Sequence, residues 1–465
     1  MAKLRKKTEK ILKQRAKTSV FLFFCLLLPN EIHKIILMRE IYVEKFGGAS
    51  VNSAASIKNV IDILQIEEKQ RIVVVSAMGK TTNSLEKIIE LWHLYTKFNQ
   101  EEFAFIKQYH INIIKELFEN TSALDIALSM VEEIFSDLKQ NLLSLNPKDY
   151  DFLYDSIVSY GEKISTAILS LYMTSLDINH RLIPAQEVIK TDNSYRGAQV
   201  DWKKTEKEVK EKLNNLFLET DLVLTQGFIG STREGYTTTL GREGSDYSAA
   251  IFAYCFEAKS LTIWKDVEGL MSADPKRMPD AKKLEQVPYR EAIELSYYGA
   301  SVIHPKTIKP LENKAIPLYV KSFLNPEKEG TVITHAEEVK PLVPNYIFKD
   351  KQTLLSVSAK DFSFIVEENV ANIFSVLSSF GVKVNLIQNS ALTFSVCFDQ
   401  NDYVLPRLIE ALQQDYNVKY NNDLQLITIR HYTQETIENL NKKGRILIEQ
   451  KNRVTLQCLI EEKEK

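Results

Sequence analysis

Cysteine is scarce and scattered. The 465 residues hold four, Cys25, Cys255, Cys397 and Cys458, and no two stand in a C-x-x-C spacing. That argues against a zinc ribbon or a disulfide framework and for reduced, buried thiols. The seven histidines form no H-x-x-x-H pair, so no metal site is expected. His304, just before Pro305, reads as a structural histidine at a strand-to-helix junction. A charge excess is also missing. Lys and Arg number 59, Asp and Glu 61, for a net charge of −2. Nothing therefore draws the chain as a whole to nucleic acid or to a membrane, and neither is expected as a partner. The apolar run Val20 to Leu28 is far short of the ~20 residues that span a bilayer. It follows a basic stretch, as in a secretory signal, but no A-x-A-like cleavage site comes after it. Residues 1–37 are read as a dispensable extension, with Met38 opening the first domain and a cytoplasmic location.

What is present is an ordinary soluble composition, 44% hydrophobic and 26% charged, over a length that suits two or three domains. Through residue 325, strand-like and helix-like runs alternate. "IYVEKF", Arg71 to Met78, "RLIPA", Leu222 to Phe228, Ser260 to Trp264 and Ile316 to Val320 read as strands. Ser53 to Lys69, most of Leu85 to Asp177, Thr205 to Leu216 and Ser245 to Glu257 read as helices. Alternation of this kind predicts an α/β sandwich with a largely parallel sheet over residues 38–325. Residues 326–346 are rich in proline and charge and read as a linker. Beyond it, over 347–465, the units shorten to strand, helix and hairpin. Asn385 to Phe398 can be laid on Leu447 to Ile460 without a gap, which predicts two copies of a small α+β unit. The second copy ends without a following helix, so it lacks or borrows an element.

Chemistry concentrates where strands end. "IYVEKFGGASVNSA" runs from a strand into Gly47 and Gly48, with Lys45 just before and Ser50 just after. Bare amides and a cation at the carboxyl edge of such a sheet suit an anion. The stretch is neither a G-x-x-x-x-G-K-[ST] nor a G-x-G-x-x-G loop. "TTTLGREGSDYSAA" sets Gly241 and Gly244 before Ser245, read as a helix N-cap with Asp246 in the first turn. A capped helix after a flexible loop would explain Ser245 and Asp246 alone, but not the cluster upstream. "WKDVEGLMSADPKR" crowds Lys265, Asp266, Asp274 and Lys276 into a turn-rich loop.

Taken together with "VVVSAMGKTTNSL", "SYGEKIS" and "YYGASVIHPKTIKPL", these segments closely resemble the aspartate kinase family, within the amino acid kinase superfamily. The C-terminal repeat resembles that family's paired ACT units. The resemblance covers Met38 to the end. It implies an αβα kinase domain and tandem ACT units. The implied activity is ATP-dependent phosphorylation of the L-aspartate β-carboxylate, with Mg²⁺ accompanying the nucleotide. By position it implies Lys45 and Asp246 as catalytic residues. Lys45, Gly47, Gly48, Ser50, Gly241, Gly244, Ser245, Lys265, Asp266, Met271 and Lys276 fall at ATP-binding positions. Ser76 and Thr82 fall at the reacting end of aspartate, Glu162 at its ammonium and Arg196 at its α-carboxylate. The chain departs from the family at Ala49, usually threonine, and at Ser301, lysine in several relatives. The arginine of "NSYRGA" is displaced from the commoner order. ACT pairs imply a lysine or threonine effector near Asn385, Gln388 and Ser390, although Ala391 replaces an acidic residue, and a homodimer through those units. Two rival readings remain open: another kinase of the superfamily, and a non-enzymatic amino-acid sensor on an inactive scaffold.

Overall fold

A computed structural model of the chain describes residues 40–119, 121–300, 303–361, 363–441 and 443–462. The extension 1–37, Cys25 and Ser301 lie outside the described residues. The chain divides into two compact units, with the division between Trp264 and Lys265.

The first unit is built on β1 (Ile41–Phe46), β2 (Gln70–Val75), β3 (Arg181–Ile183), β4 (Leu222–Gln226) and β7 (Ser260–Lys265). They run parallel in the order β7-β1-β2-β4-β3. All six residues of β2 are buried, so both faces of the sheet are covered, as its unbroken apolar run predicts. Helix α1 (Ala54–Gln65) starts where the Ser53 hydroxyl accepts the Ser56 N–H, and it buries Ile57, Val60, Ile61 and Leu64. A helical insert separates β2 from β3. It comprises α2 (Thr81–Tyr95), α3 (Gln100–Leu117), α4 (Thr121–Ser144), α5 (Tyr150–Val158) and α6 (Tyr160–Ser175). After β3 come the short α7 (Ala185–Val188) and α8 (Trp202–Leu216). β5 (Ile229–Ser231) and β6 (Thr237–Thr239) form an antiparallel pair. α9 (Gly244–Phe256) follows and packs on β1 and β2.

The second unit opens with the small strands β8 (Leu270–Met271), β9 (Lys283–Leu284) and β10 (Gln286–Pro288). Helices α10 (Tyr289–Tyr298) and α11 (Pro305–Asn313) precede β11 (Leu318–Ser322) and β12 (Thr331–Thr334). His304 caps α11, its side chain accepting the Lys306 N–H, as its place before proline suggests. The stretch read as a linker is not irregular throughout. It carries β12, which pairs with β10 and β11, and Thr331 anchors it by accepting the Leu270 N–H at 2.8 Å.

The remaining strands form one antiparallel sheet in the order β14-β15-β13-β16-β18-β17. These are β13 (Asn345–Ala359), β14 (Val384–Asn389), β15 (Thr393–Asp399), β16 (Tyr416–Arg430), β17 (Gly444–Lys451) and β18 (Thr455–Glu462), with α12 (Glu367–Ser379), α13 (Leu405–Gln413) and α14 (Gln434–Asn441) between them. The order is symmetric about the β13–β16 pair, so the gapless repeat is a structural one. Both outer hairpins even carry a register shift at matching places, Val384/Leu386 and Ile446/Ile448. Leu355, Val357, Ile373, Leu377, Phe394 and Leu408 core the first copy, and Ile427, Ile429, Leu440, Leu456 and Ile460 the second. A third cluster, including Leu386 and Ile448, belongs to both.

Candidate active site

Strand alternation sends neighbouring residues of β1 to opposite faces, and both Glu44 and Lys45 are buried. Glu44 meets Arg71 Nε at 3.0 Å and accepts from Trp264 Nε1 at 3.0 Å. Lys45 Nζ lies 2.6 Å from Asp246 Oδ1, at the first turn of α9. The two residues expected to be catalytic are thus an ion pair, 201 positions apart in sequence. Gly47 follows, and a Cβ there would sit 3.3 Å from the Lys45 ammonium. A Cβ on Gly48 would come within 2.9 Å of the Ala77 carbonyl and 3.0 Å of the Gly79 carbonyl. Those contacts come from the loop after β2. Its Ser76 N–H donates to Phe46 O at 3.1 Å and its Gly79 N–H to Gly48 O at 3.1 Å. The two loops interlock because glycine lets their backbones touch. Ser50 donates its N–H to Gly47 O at 2.9 Å, while its buried hydroxyl has no partner.

Glu162, in the first turn of α6, is 3% exposed. One oxygen accepts the Ala77 N–H at 3.2 Å, and the other has no partner. Burial pushes its carboxyl up to about 8, against the Ala77 hydrogen bond and the Lys45 charge. A buried carboxyl raised in this way, with one idle oxygen, ionises more readily when a cation is brought to it. Ser76 and Thr82, on the same loop and the following turn of α2, are half-buried.

Arg196 is exposed and has a left-handed backbone, φ 52°, beside Tyr195 at φ 38°. Its guanidinium lies 4.8 Å from the Tyr154 ring centre and 5.1 Å from that of Tyr150, with Asp151 at 3.4 Å. Its N–H donates to both oxygens of Asp155 at 3.0 Å. Asp155 carries no motif, and sequence reasoning missed it. Its weight comes from residues 41 and 84 positions away.

Gly241, half-buried at φ 77°, would press a Cβ to 3.2 Å from Arg196 O. Ser245 is not the N-cap expected. α9 begins one residue earlier, after Glu243 has turned through φ 52°. Gly244 takes the first helical position because a Cβ there would strike the Phe228 ring at 2.5 Å. Ser245 is buried, where a Gly227 Cβ would lie 2.5 Å from its own.

In the second unit, Asp266 and Met271 line a cavity of about 600 Å³, together with Gly269, Asp274, Arg277 and Phe348. Lys265 ends β7, half-buried, and Lys276 is exposed on the same loop. Further on, Asn385 is already engaged. Its amide donates to Gln352 Oε1 and Asp399 Oδ1 at 2.8 Å, and its oxygen accepts from Lys349 Nζ at 2.8 Å. Gln388 is exposed on β14. The Ser390 hydroxyl donates to Thr393 O at 3.2 Å.

A parallel sheet with interlocked glycine loops and a buried lysine at the strand ends defines a class, and sequence comparison agrees. The chain belongs to the amino acid kinase family, whose model matches residues 40–322. It is 32% identical over 379 residues to aspartokinase 1, chloroplastic, of Arabidopsis thaliana, covering 79% of this chain and 65% of that one. It thus spans a little under two thirds of that relative's length. Lysine-sensitive aspartokinase 3 of Escherichia coli K12 is 30% identical over 369 residues, covering 78% of this chain and 79% of the relative. Within the family the chain therefore falls among the aspartokinases. The solved structure of E. coli aspartokinase III with lysine and aspartate superposes with a TM-score of 0.75 at 26% identity, covering 90% of this chain and 96% of that one. The same enzyme with aspartate and ADP gives 0.74. The αβα kinase fold and the tandem ACT-like units stand on that likeness.

Proposed function

We propose that the chain transfers the γ-phosphoryl group of ATP to the β-carboxylate of L-aspartate, giving ADP and 4-phospho-L-aspartate. A β-carboxylate oxygen forms the new bond to phosphorus as the bond to the bridging oxygen of ADP breaks. Donor and acceptor are both anionic, so the protein's task is to screen and to align. The observation that carries the reading is Lys45, held 2.6 Å from Asp246 beside a glycine at which a Cβ would stand 3.3 Å from its ammonium. There it offsets charge on the moving phosphoryl group while Asp246 fixes its position. Gly47, Gly48 and Ser50 offer the first loop to the phosphates, and Gly241, Gly244 and Ser245 the second.

The idle oxygen of Glu162 takes the substrate ammonium, Arg196 grips the α-carboxylate, and Ser76 and Thr82 steady the reacting end. Lys265, Asp266, Met271 and Lys276 receive the nucleotide. The cavity beside Asp266 and Met271 supports that assignment for those two. Among the described residues no cluster of three acidic, histidine or cysteine side chains could hold a metal. Mg²⁺ enters the reading as a companion of ATP, held by phosphate and water, where it would neutralise phosphate charge.

Among the described residues no helix is long and apolar enough to cross a membrane. A homodimer through the ACT-like units, with lysine or threonine as effector, completes the reading. Because Asn385 is held by Lys349, Gln352 and Asp399 and the Ser390 hydroxyl by Thr393, an effector there would have to displace those contacts or rely on Gln388. An ATP-dependent hydroxamate assay with aspartate, run with and without millimolar lysine, tests the whole. Hydroxamate formed from aspartate but not from glutamate is expected. Its absence would refute the activity, and an unchanged rate with lysine would refute that effector.

A further inference from the structure

We propose that Asp155 is a positioning residue for the acceptor, fixing the backbone from which Arg196 reaches the substrate α-carboxylate. The inference rests on the Arg196 assignment above. Asp155 is fully buried in α5. Its carboxylate accepts the Arg196 N–H at 3.0 Å on each oxygen, the Thr239 N–H at 2.7 Å and the Thr239 hydroxyl at 2.7 Å. Two adjacent residues without the freedom of glycine, Tyr195 and Arg196, hold a left-handed backbone there. Such a pair persists only where its surroundings dictate it. Asp155 is that constraint, because a carboxylate between two N–H groups fixes both chains at once.

Thr239 lies two residues before Gly241, and its carbonyl also accepts the Ala198 N–H at 3.0 Å. The acceptor loop is thereby fastened to the strand that leads into the second glycine turn. The same helix carries Tyr150, Asp151 and Tyr154, which seat the guanidinium. One helix therefore holds both the backbone and the side chain of Arg196. Burial raises the Asp155 carboxyl to about 6, against the hydrogen bonds from Thr239 and Arg196. A polar core position kept at that cost needs a reason, and acceptor alignment supplies one.

The test is a double-mutant cycle in steady-state kinetics with thermal melts alongside. Asp155→Asn should raise KM for aspartate about tenfold, the loss expected when one hydrogen bond to a charged group is removed, with kcat within about twofold. Arg196→Ala should raise it further. The double variant should be no worse than Arg196→Ala alone, because one residue acts through the other. Thr239→Val should raise KM about threefold, and Thr239→Ser should restore it. These last two keep the test open if Asp155→Asn fails to fold. Additive effects in the double variant, or a lowered melting temperature with an unchanged KM, would overturn the proposal. If Arg196→Ala leaves KM unchanged, the Arg196 assignment falls. A raised KM in Asp155→Asn beside that result would mean Asp155 acts through another group, which overturns the proposal separately.

Discussion

Glu162 gives the sharpest handle on substrate recognition. In the free protein its carboxyl sits at about 8 because burial penalises the charge, so at pH 7 about one molecule in ten carries it ionised. Aspartate brings an ammonium, which pairs only with the ionised form. Apparent affinity should therefore be about tenfold weaker at pH 7 than at full ionisation, about 1.4 kcal/mol. Stability runs the opposite way. The folded carboxyl lies above its ordinary 4.5, so its stabilising effect is full below that value and is lost as pH rises toward 8. Bound aspartate removes the loss, and its thermal shift should grow across the same window. The assay is KM for aspartate from pH 6 to 9, for the wild type and for Glu162→Gln. The variant should lose the alkaline gain and bind aspartate at least thirtyfold more weakly, since breaking a buried charge pair costs about 2–5 kcal/mol. Because the substrate's own amine titrates identically in both proteins, it cancels in the comparison. A parallel pH profile in the two would refute the reasoning.

Lys45→Ala should lower turnover at least a hundredfold, as loss of one preorganised donor costs about 3 kcal/mol of barrier. It should also lower the melting temperature by taking the opposite charge away from the buried Asp246, while Lys45→Met with Asp246→Leu recovers the melt but not the activity. Gly48→Ala drives a methyl against two backbone carbonyls at 2.9 and 3.0 Å. Turnover should fall at least tenfold, measured by ADP release, because both loops must part. In the second unit, Glu291 on α10 is buried, which raises its carboxyl, yet Arg430 and His431 pull it down to about 2. Its contribution is present above pH 4.5 and lost as pH falls toward 2, so acid unfolding followed by circular dichroism should lose that limb in Arg430→Met.

The elements that were legible in sequence are those whose pattern is local. The continuous run of β2 could only be a strand covered twice, and the gapless repeat survived because each hairpin retains its own alternation. β12 was hidden because four residues among prolines and charges carry no periodicity, and its anchor is Thr331 on Leu270. Ser245 was misplaced because the cap depends on Phe228 leaving room only for glycine. The glycines and Lys45 could be read as an anion site, but nothing in the chain announces that Lys45 rests on Asp246. Asp155 was silent for the same reason: its donors come from distant turns, and a single sequence shows a helical aspartate and no more.

The two copies of the C-terminal unit are not separable modules. β13 and β16 are each fifteen residues long. β15 lies along the far end of β13, β18 along the far end of β16, and the two long strands pair with each other for nearly their whole length. Excising either copy would cut a girder both lean on, so they should melt together in one transition. A strain introduced at one outer hairpin has a continuous backbone route to the other.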